Sequence, residues 1–256
     1  MLRNLFCIFV AGFWTAVLFP VTVVFMTLTL NPSAAMFVVK HWWSPVLLWA
    51  GGAKLEVIGA EKLEAGKPYI FISNHQSTID IPALFIALPV NMRFVAKKIL
   101  KYVPFLGWYM SLSKFVFIDR ANHRDALKSL EAAGERIRGG ISVVMFAEGT
   151  RSDDRRVLPF KKGPFALALK ARVPVIPITI EGSGVLMPKN SWNIKPGPIK
   201  VMIGDPIDPA PYGDDRVGLI RTVRTRIIEQ SVAMGGLGGN ANDAVAARGR
   251  EGTSEE

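Results

Sequence analysis

The chain has 256 residues, enough for one sizeable core, and half of them are apolar, with a formal net charge of +10. A single cysteine excludes an intrachain disulfide, and three scattered histidines argue against a metal centre, so no metal is expected. A basic body suits nucleic acid, an anionic bilayer surface or a phosphorylated substrate; with no nucleic-acid-binding module in sight, no nucleic acid is expected and the last two remain.

No charged residue stands between Arg3 and Lys40. The run from Leu5 to Leu30 is broken only by Gly12, Thr15, Pro20, Thr22, Thr27 and Thr29, which is longer than a bilayer core requires and too long for the apolar part of a secretory signal. Asn31-Pro32 interrupts it, and Ala34–Trp49 supplies a second apolar stretch. Trp14, Trp42, Trp43 and Trp49 suit headgroup depth, where an amphipathic ring is at home. Residues 1–50 are therefore predicted to form N-terminal membrane helices, either crossing the bilayer or lying in one leaflet as a hairpin.

From residue 51 the pattern changes. Lys54–Ile58, Tyr69–Ser73, Phe94–Ala96, Phe115–Ile118, Ser142–Phe146, Val173–Ile180 and Lys200–Ile203 are short, β-branched or aromatic runs bounded by turn residues, and predict strands. Ile81–Leu88, Asn122–Arg138, Pro164–Arg172 and Asp215–Ser231 predict helices; in the second, Ala126, Leu130, Ala133 and Ile137 share one face. Alternation of this kind predicts an α/β layered domain over residues 51–233, with a central, largely buried sheet flanked by helices. Pro174 and Pro177 predict that the sixth strand lies at an edge or a shaped rim. Residues 234–256 are glycine-rich, polar and aperiodic, which predicts a flexible, disordered tail.

Three segments carry chemistry. Tyr69–Ser73 leads directly into Asn74-His75-Gln76-Ser77-Thr78-Ile79-Asp80, which places His75 at the carboxyl end of a strand, where open α/β sheets bind ligands. Asp80, in the first turn of the next helix, can hold one ring nitrogen and leave the other to act as a general base. A lone His-x4-Asp is more often a hydrogen-bonded loop histidine followed by an ordinary helix-start acid. Two more strands end in guanidinium groups: Phe117-Ile118-Asp119-Arg120, and Phe146-Ala147-Glu148-Gly149-Thr150-Arg151. Arg120 and Arg151 match phosphate oxygens, Thr150 and backbone N–H groups can complete such a shell, and Lys161 and Lys162 precede a helix start.

Together with Val173-Pro174-Val175-Ile176-Pro177, these blocks resemble the glycerolipid acyltransferase family, and within it the bacterial 1-acyl-sn-glycerol-3-phosphate acyltransferases. The resemblance runs from about Lys54 to Ile228. It implies that His75 deprotonates the acceptor hydroxyl for attack on an acyl thioester while Asp80 orients it. It further implies that Arg120, Glu148, Gly149, Thr150, Arg151 and Lys161 form the substrate-phosphate site. The expected reaction is transfer from acyl-CoA or acyl-carrier protein, with no cofactor, to the sn-2 hydroxyl of lysophosphatidic acid. The expected location is the inner (cytoplasmic) membrane, with the catalytic domain facing the cytoplasm. One departure is visible: a glycine often stands three residues before the second-block Phe, where this chain has Lys114. Another lysolipid acceptor is the nearest rival. A hydrolase would need a nucleophile elbow, and Glu181-Gly182-Ser183-Gly184-Val185 does not supply one. A non-catalytic lipid-binding protein is the third reading.

Overall fold

The computed structural model describes residues 2–103, 105–118 and 123–239, and for 123–128 and 130 the backbone alone. The apolar front folds as a helical hairpin. Helix α1 (Leu2–Thr29) is long and apolar enough to cross a membrane, and little of it is buried in the protein. The returning arm is α2 (Ala34–Val38), a π-helical turn (Val39–Trp43) and α3 (Ser44–Gly51). The two arms are stitched antiparallel. Arg3 donates to the Gly51 carbonyl (2.7 Å), Cys7 Sγ to Ala50 O (3.1 Å), Trp14 Nε1 to Trp42 O (2.8 Å) and Trp43 Nε1 to Thr15 Oγ1 (2.9 Å).

The remainder is an α/β domain, as the alternation predicts. Strands β1 (Ala53–Ile58), β2 (Ile70–Ser73), β3 (Met92–Lys97), β4 (Val116–Ile118), β5 (Ser142–Phe146), β6 (Val175–Glu181) and β7 (Gly197–Ile203) form one sheet in the order β1-β7-β6-β2-β5-β3-β4. Pairing is parallel throughout except between β6 and β7. Strand alternation sorts side chains between two apolar layers. Phe71 of β2 and Val144 of β5 face one core, closed by α4 (Asp80–Ala87) and the hairpin. Ile70, Ile72, Val143 and Met145 face the other. That second core is closed by α6 (His123–Arg138), α7 (Lys162–Ala171) and α9 (Arg216–Ala233), with Ala133 and Ile137 of α6 fully buried. Two further short helices, α5 (Leu106–Leu112) and α8 (Ser183–Leu186), have no counterpart in the sequence reading.

One expectation is corrected. Strand β6 is interior, between β2 and β7, and not at an edge. Its prolines are tolerated because neither is asked for a ladder N–H. Pro174 precedes the strand and only accepts, from Ile70 N–H (3.1 Å). Val175 exchanges both its bonds with Ile207, whereas the ladder to β7 begins at Ile178. Pro177 falls in the gap between, where its carbonyl accepts from Gly204 N–H (2.8 Å).

The described part of the tail, 234–239, is packed onto the domain. Gly238 O accepts from Val157 N–H (2.8 Å), and Arg156 reaches the carbonyls of Leu237 and Gly239. Glycine permits this: Gly235 and Gly238 have φ of +87° and +63°, and a Cβ on Gly236 would stand 2.4 Å from the Glu181 carboxylate. Residues 240–256 of the tail lie outside the described residues.

Candidate active site

Strands β2, β5, β3 and β6 run parallel, so their carboxyl ends share one edge of the sheet. The chain leaves β2 at Ser73, and Asn74 immediately clasps the neighbouring strand. Its Nδ2 donates to Ile180 O (2.9 Å), and its Oδ1 accepts from Ile180 N–H (2.8 Å). His75 follows this anchor, and its carbonyl accepts from Ser152 N–H (2.8 Å), which ties it to the loop after β5.

Asp80 opens α4 and is fully buried. A single oxygen, Oδ2, meets three donors: Gln76 N–H (2.8 Å), Ser77 N–H (2.9 Å) and His75 Nδ1 (2.8 Å). Two of these are backbone groups that can only donate, so Oδ2 is an acceptor and Nδ1 carries the ring proton. Nε2 is thereby left as the lone-pair nitrogen, able to receive a proton from a substrate. The imidazole, with its side chain 15% exposed, lies flat on Phe146 at a centroid distance of 3.7 Å and an interplanar angle of 11°. Phe146 stacks in turn on Phe94 (5.7 Å). The imidazole therefore has an apolar floor and a fixed tautomer.

The loop after β5 meets this turn from the other side. Gly149 has φ +77°, the left-handed conformation that a side chain resists. Thr150 is exposed, and Arg151 Nη1 donates to Thr78 Oγ1 (3.0 Å), inside the His75–Asp80 segment. Lys161 is exposed at the start of α7, and its backbone N–H donates to Ala147 O (2.8 Å), beside the head of the same loop. Glu148 behaves differently. It is 2% exposed, and its Oε1 faces inward to accept from Leu158 N–H (3.3 Å). Burial pushes its carboxyl up to about 8, against the N–H groups of Leu158 and His75, which favour the charged form. Such a group shapes the loop from beneath and does not offer oxygens at the surface. Arg120 lies outside the described residues.

Three contributors were not singled out from the sequence. Phe146 is the floor under His75, Asn74 the clasp, and Gln76 the head of a buried chain. Gln76 Nε2 donates to Glu181 Oε2 (3.1 Å), and Glu181 Oε1 accepts from Ser231 Oγ of α9 (2.6 Å). The readable signal was adjacency: Asn74 and Gln76 flank the histidine, and Glu181 is the one charged residue of its strand.

The acyltransferase family model matches residues 54–181, half of the 256 residues, from β1 to the end of β6. The chain belongs to the acyltransferase family. Among its relatives is the 1-acyl-sn-glycerol-3-phosphate acyltransferase of Saccharomyces cerevisiae, 37% identical over 182 residues, covering 70% of this chain and 60% of the yeast protein. The chloroplastic enzyme of the same name from Brassica napus is 38% identical over 178 residues, covering 69% of this chain and 50% of the plant protein. The match thus spans only 50–60% of these relatives' own length. Among solved structures, the 1-acyl-sn-glycerophosphate acyltransferase PlsC from Thermotoga maritima superposes with a TM-score of 0.80 at 26% identity. That likeness covers 91% of this chain and 95% of the other, so it takes in the hairpin as well as the acyltransferase domain.

Proposed function

We propose that the chain transfers a fatty acyl group from acyl-CoA or acyl-carrier protein to the sn-2 hydroxyl of lysophosphatidic acid, giving phosphatidic acid. The observation that carries this reading is the His75–Asp80 pair at the carboxyl edge of the sheet, held at 2.8 Å with Nε2 left to accept. The acceptor hydroxyl gives its proton to Nε2 as its oxygen attacks the thioester carbonyl. Asp80 stabilises the imidazolium so formed. When the tetrahedral adduct collapses, the carbon–sulfur bond breaks and the departing thiolate recovers the proton from His75. A thioester already carries a good leaving group, so positioning and one general base suffice. Arg151, Lys161 and Arg120 supply positive charge for the acceptor phosphate, and Thr150 a hydroxyl.

The hairpin holds this site at a membrane, and its contacts favour lying in one leaflet over crossing. Helix α1, about 42 Å long at about 1.5 Å per residue, meets the α/β domain near its start and again past its middle, and the turn that follows it does so as well. Asn4 Oδ1 accepts from Ile194 N–H (3.1 Å) near the start, and Phe19 meets Phe105 edge-on (5.5 Å) beyond the middle. At the far turn, Ser33 Oγ accepts from Asn91 (3.1 Å) and Arg93 (3.3 Å). A helix so accompanied cannot pass perpendicularly through lipid without dragging the polar domain after it. Its outward face carries Phe6, Phe9, Phe13 and Phe25, which suit burial among acyl chains. A cytoplasmic orientation follows from where acyl thioesters are made.

The test is acyl transfer by membranes containing the chain, with labelled oleoyl-CoA offered against a panel of lysolipids, for wild type and His75→Ala. Lysophosphatidic acid should be the preferred acceptor, and the variant should lose about 10²–10⁴ in rate. Full activity in His75→Ala would refute the general-base reading. Preference for an acceptor without a phosphate would refute the substrate.

A further inference from the structure

Between β3 and β4 the chain leaves the sheet edge that carries His75 through a 3-10 turn (Lys98–Tyr102) and crosses back along the sheet as α5 to enter the parallel strand β4. This segment is apolar and turned outward. Ile99, Tyr102, Phe105, Leu106, Trp108 and Leu112 are each 45–67% exposed. A soluble monomer rarely leaves so much contiguous apolar surface facing water. Helix α5 is uncharged and, apart from Ser111, apolar or aromatic: Gly107 and Met110 are buried, while Leu106, Trp108 and Leu112 point away from the core.

We infer that residues 98–112 form a second membrane-inserting element, which docks the mouth of the active site onto an anionic bilayer independently of the hairpin's own burial. Three observations choose lipid as the occupant. The patch is continuous with the hairpin's lipid-facing surface, because Phe105 packs edge-on against Phe19 of α1 and T-shaped against Trp108 (5.2 Å). It is fringed by exposed Lys97 and Lys101, placed where headgroup phosphates would lie above inserted side chains. Its composition, with Trp and Tyr beside aliphatic residues, is that of side chains at home in the interface. Tyr109 also donates to the Ala35 carbonyl (3.2 Å), so α5 is held to the hairpin and the two enter lipid at a fixed relative depth. An acceptor lipid would then reach His75 by sliding between two inserted elements, without leaving the bilayer.

The inference rests on the reading that the hairpin is membrane-bound, and the experiment separates the two. Single cysteines at Ile99, Leu106, Phe13 or Val217, on a Cys7→Ser background, are labelled with an environment-sensitive fluorophore. The full chain is reconstituted in vesicles of equal parts phosphatidylcholine and phosphatidylglycerol carrying brominated acyl chains. Labels at Ile99 and Leu106 should blue-shift and be quenched to an extent comparable with Phe13. Val217, exposed on α9 across the sheet, should not respond. Replacing both lysines, Lys97→Gln with Lys101→Gln, should weaken partitioning by about fivefold per charge on anionic vesicles, and not on pure phosphatidylcholine. Quenching at Phe13 with none at Ile99 and Leu106 would overturn the inference and leave the hairpin reading intact. No quenching at Phe13 either would overturn both. A blue shift that appears without vesicles and grows with protein concentration would assign the patch to a second copy of the chain and equally overturn it.

Discussion

Replacing Asp80 by Asn removes one charge from the proposed catalytic pair and almost nothing else. All three donors around Asp80 converge on Oδ2, while Oδ1 is buried with no hydrogen-bond partner among the described residues. An asparagine must therefore put its carbonyl oxygen where Oδ2 stands, since an amide nitrogen there would face three N–H groups. The tautomer of His75 and the geometry survive; the support for the imidazolium does not. A charge-assisted hydrogen bond exceeds a neutral one by about 1.5 kcal/mol, which sets a floor near tenfold in rate. A unit pair about 4 Å apart at an effective dielectric near 20 interacts by roughly 4 kcal/mol, which sets a ceiling near 10³. We expect kcat for labelled acyl transfer to fall within that range, at or below the loss in His75→Ala. The KM for lysophosphatidic acid should hold, because a fully buried Asp80 touches no substrate. The displaced amide N–H groups lack a partner and should cost about 1–3 kcal/mol, visible as a Tm several degrees lower. Wild-type kcat in Asp80→Asn would refute the role given to the carboxylate, and so would a change confined to KM.

The remaining predictions test the scaffold and the cradle. Asn74→Ala strips both bonds from Ile180 and leaves its N–H and C=O buried and unpaired, which should cost about 2–5 kcal/mol in thermal or denaturant unfolding. Glu148 takes up a proton on folding, because its carboxyl is raised from 4.5 to about 8. The linked stability is full below about pH 4.5 and declines as pH rises to about 8; in Glu148→Gln that part of the decline in Tm should vanish. Arg151→Lys keeps a charge but loses the planar fork held to Thr78; kcat/KM for the phosphorylated acceptor should drop about 10-fold or more, and an unchanged value would remove Arg151 from the phosphate site. Lys114 has φ +60°, so Lys114→Gly should raise stability by about 1 kcal/mol without altering the ranking of lysolipid acceptors in the panel assay.

That last residue shows how far the sequence could be read. The departure from a family glycine at Lys114 was visible in the letters, but its meaning was not, because φ is a property of the folded turn. The strands were legible because a parallel sheet buried on both faces demands continuous apolar runs, and β2, β5 and β6 are such runs. The edge position expected of β6 was misread, since a proline forbids only a ladder bond at its own nitrogen, and sequence does not tell where the neighbouring strand departs. His75 and Asp80 were legible because they lie within one short segment spanning a strand exit and a helix start. Phe146 was not, because the stacking partner of His75 arrives from a strand remote in sequence. Glu148 was visible as a charged letter at a strand end, yet only the fold turns it inward towards Leu158.

The hairpin that lies along the domain has a consequence for the membrane as a material. A protein seated on one face meets lipids of that face alone. In the proposed reaction, each turnover there would convert a single-tailed, wedge-shaped lipid into a two-tailed one of a different shape. Both area and spontaneous curvature change on that side and not on the other. A bilayer fed by such a chain is pushed out of balance with every molecule made, and it stays flat only as fast as lipids are moved across to the opposite side.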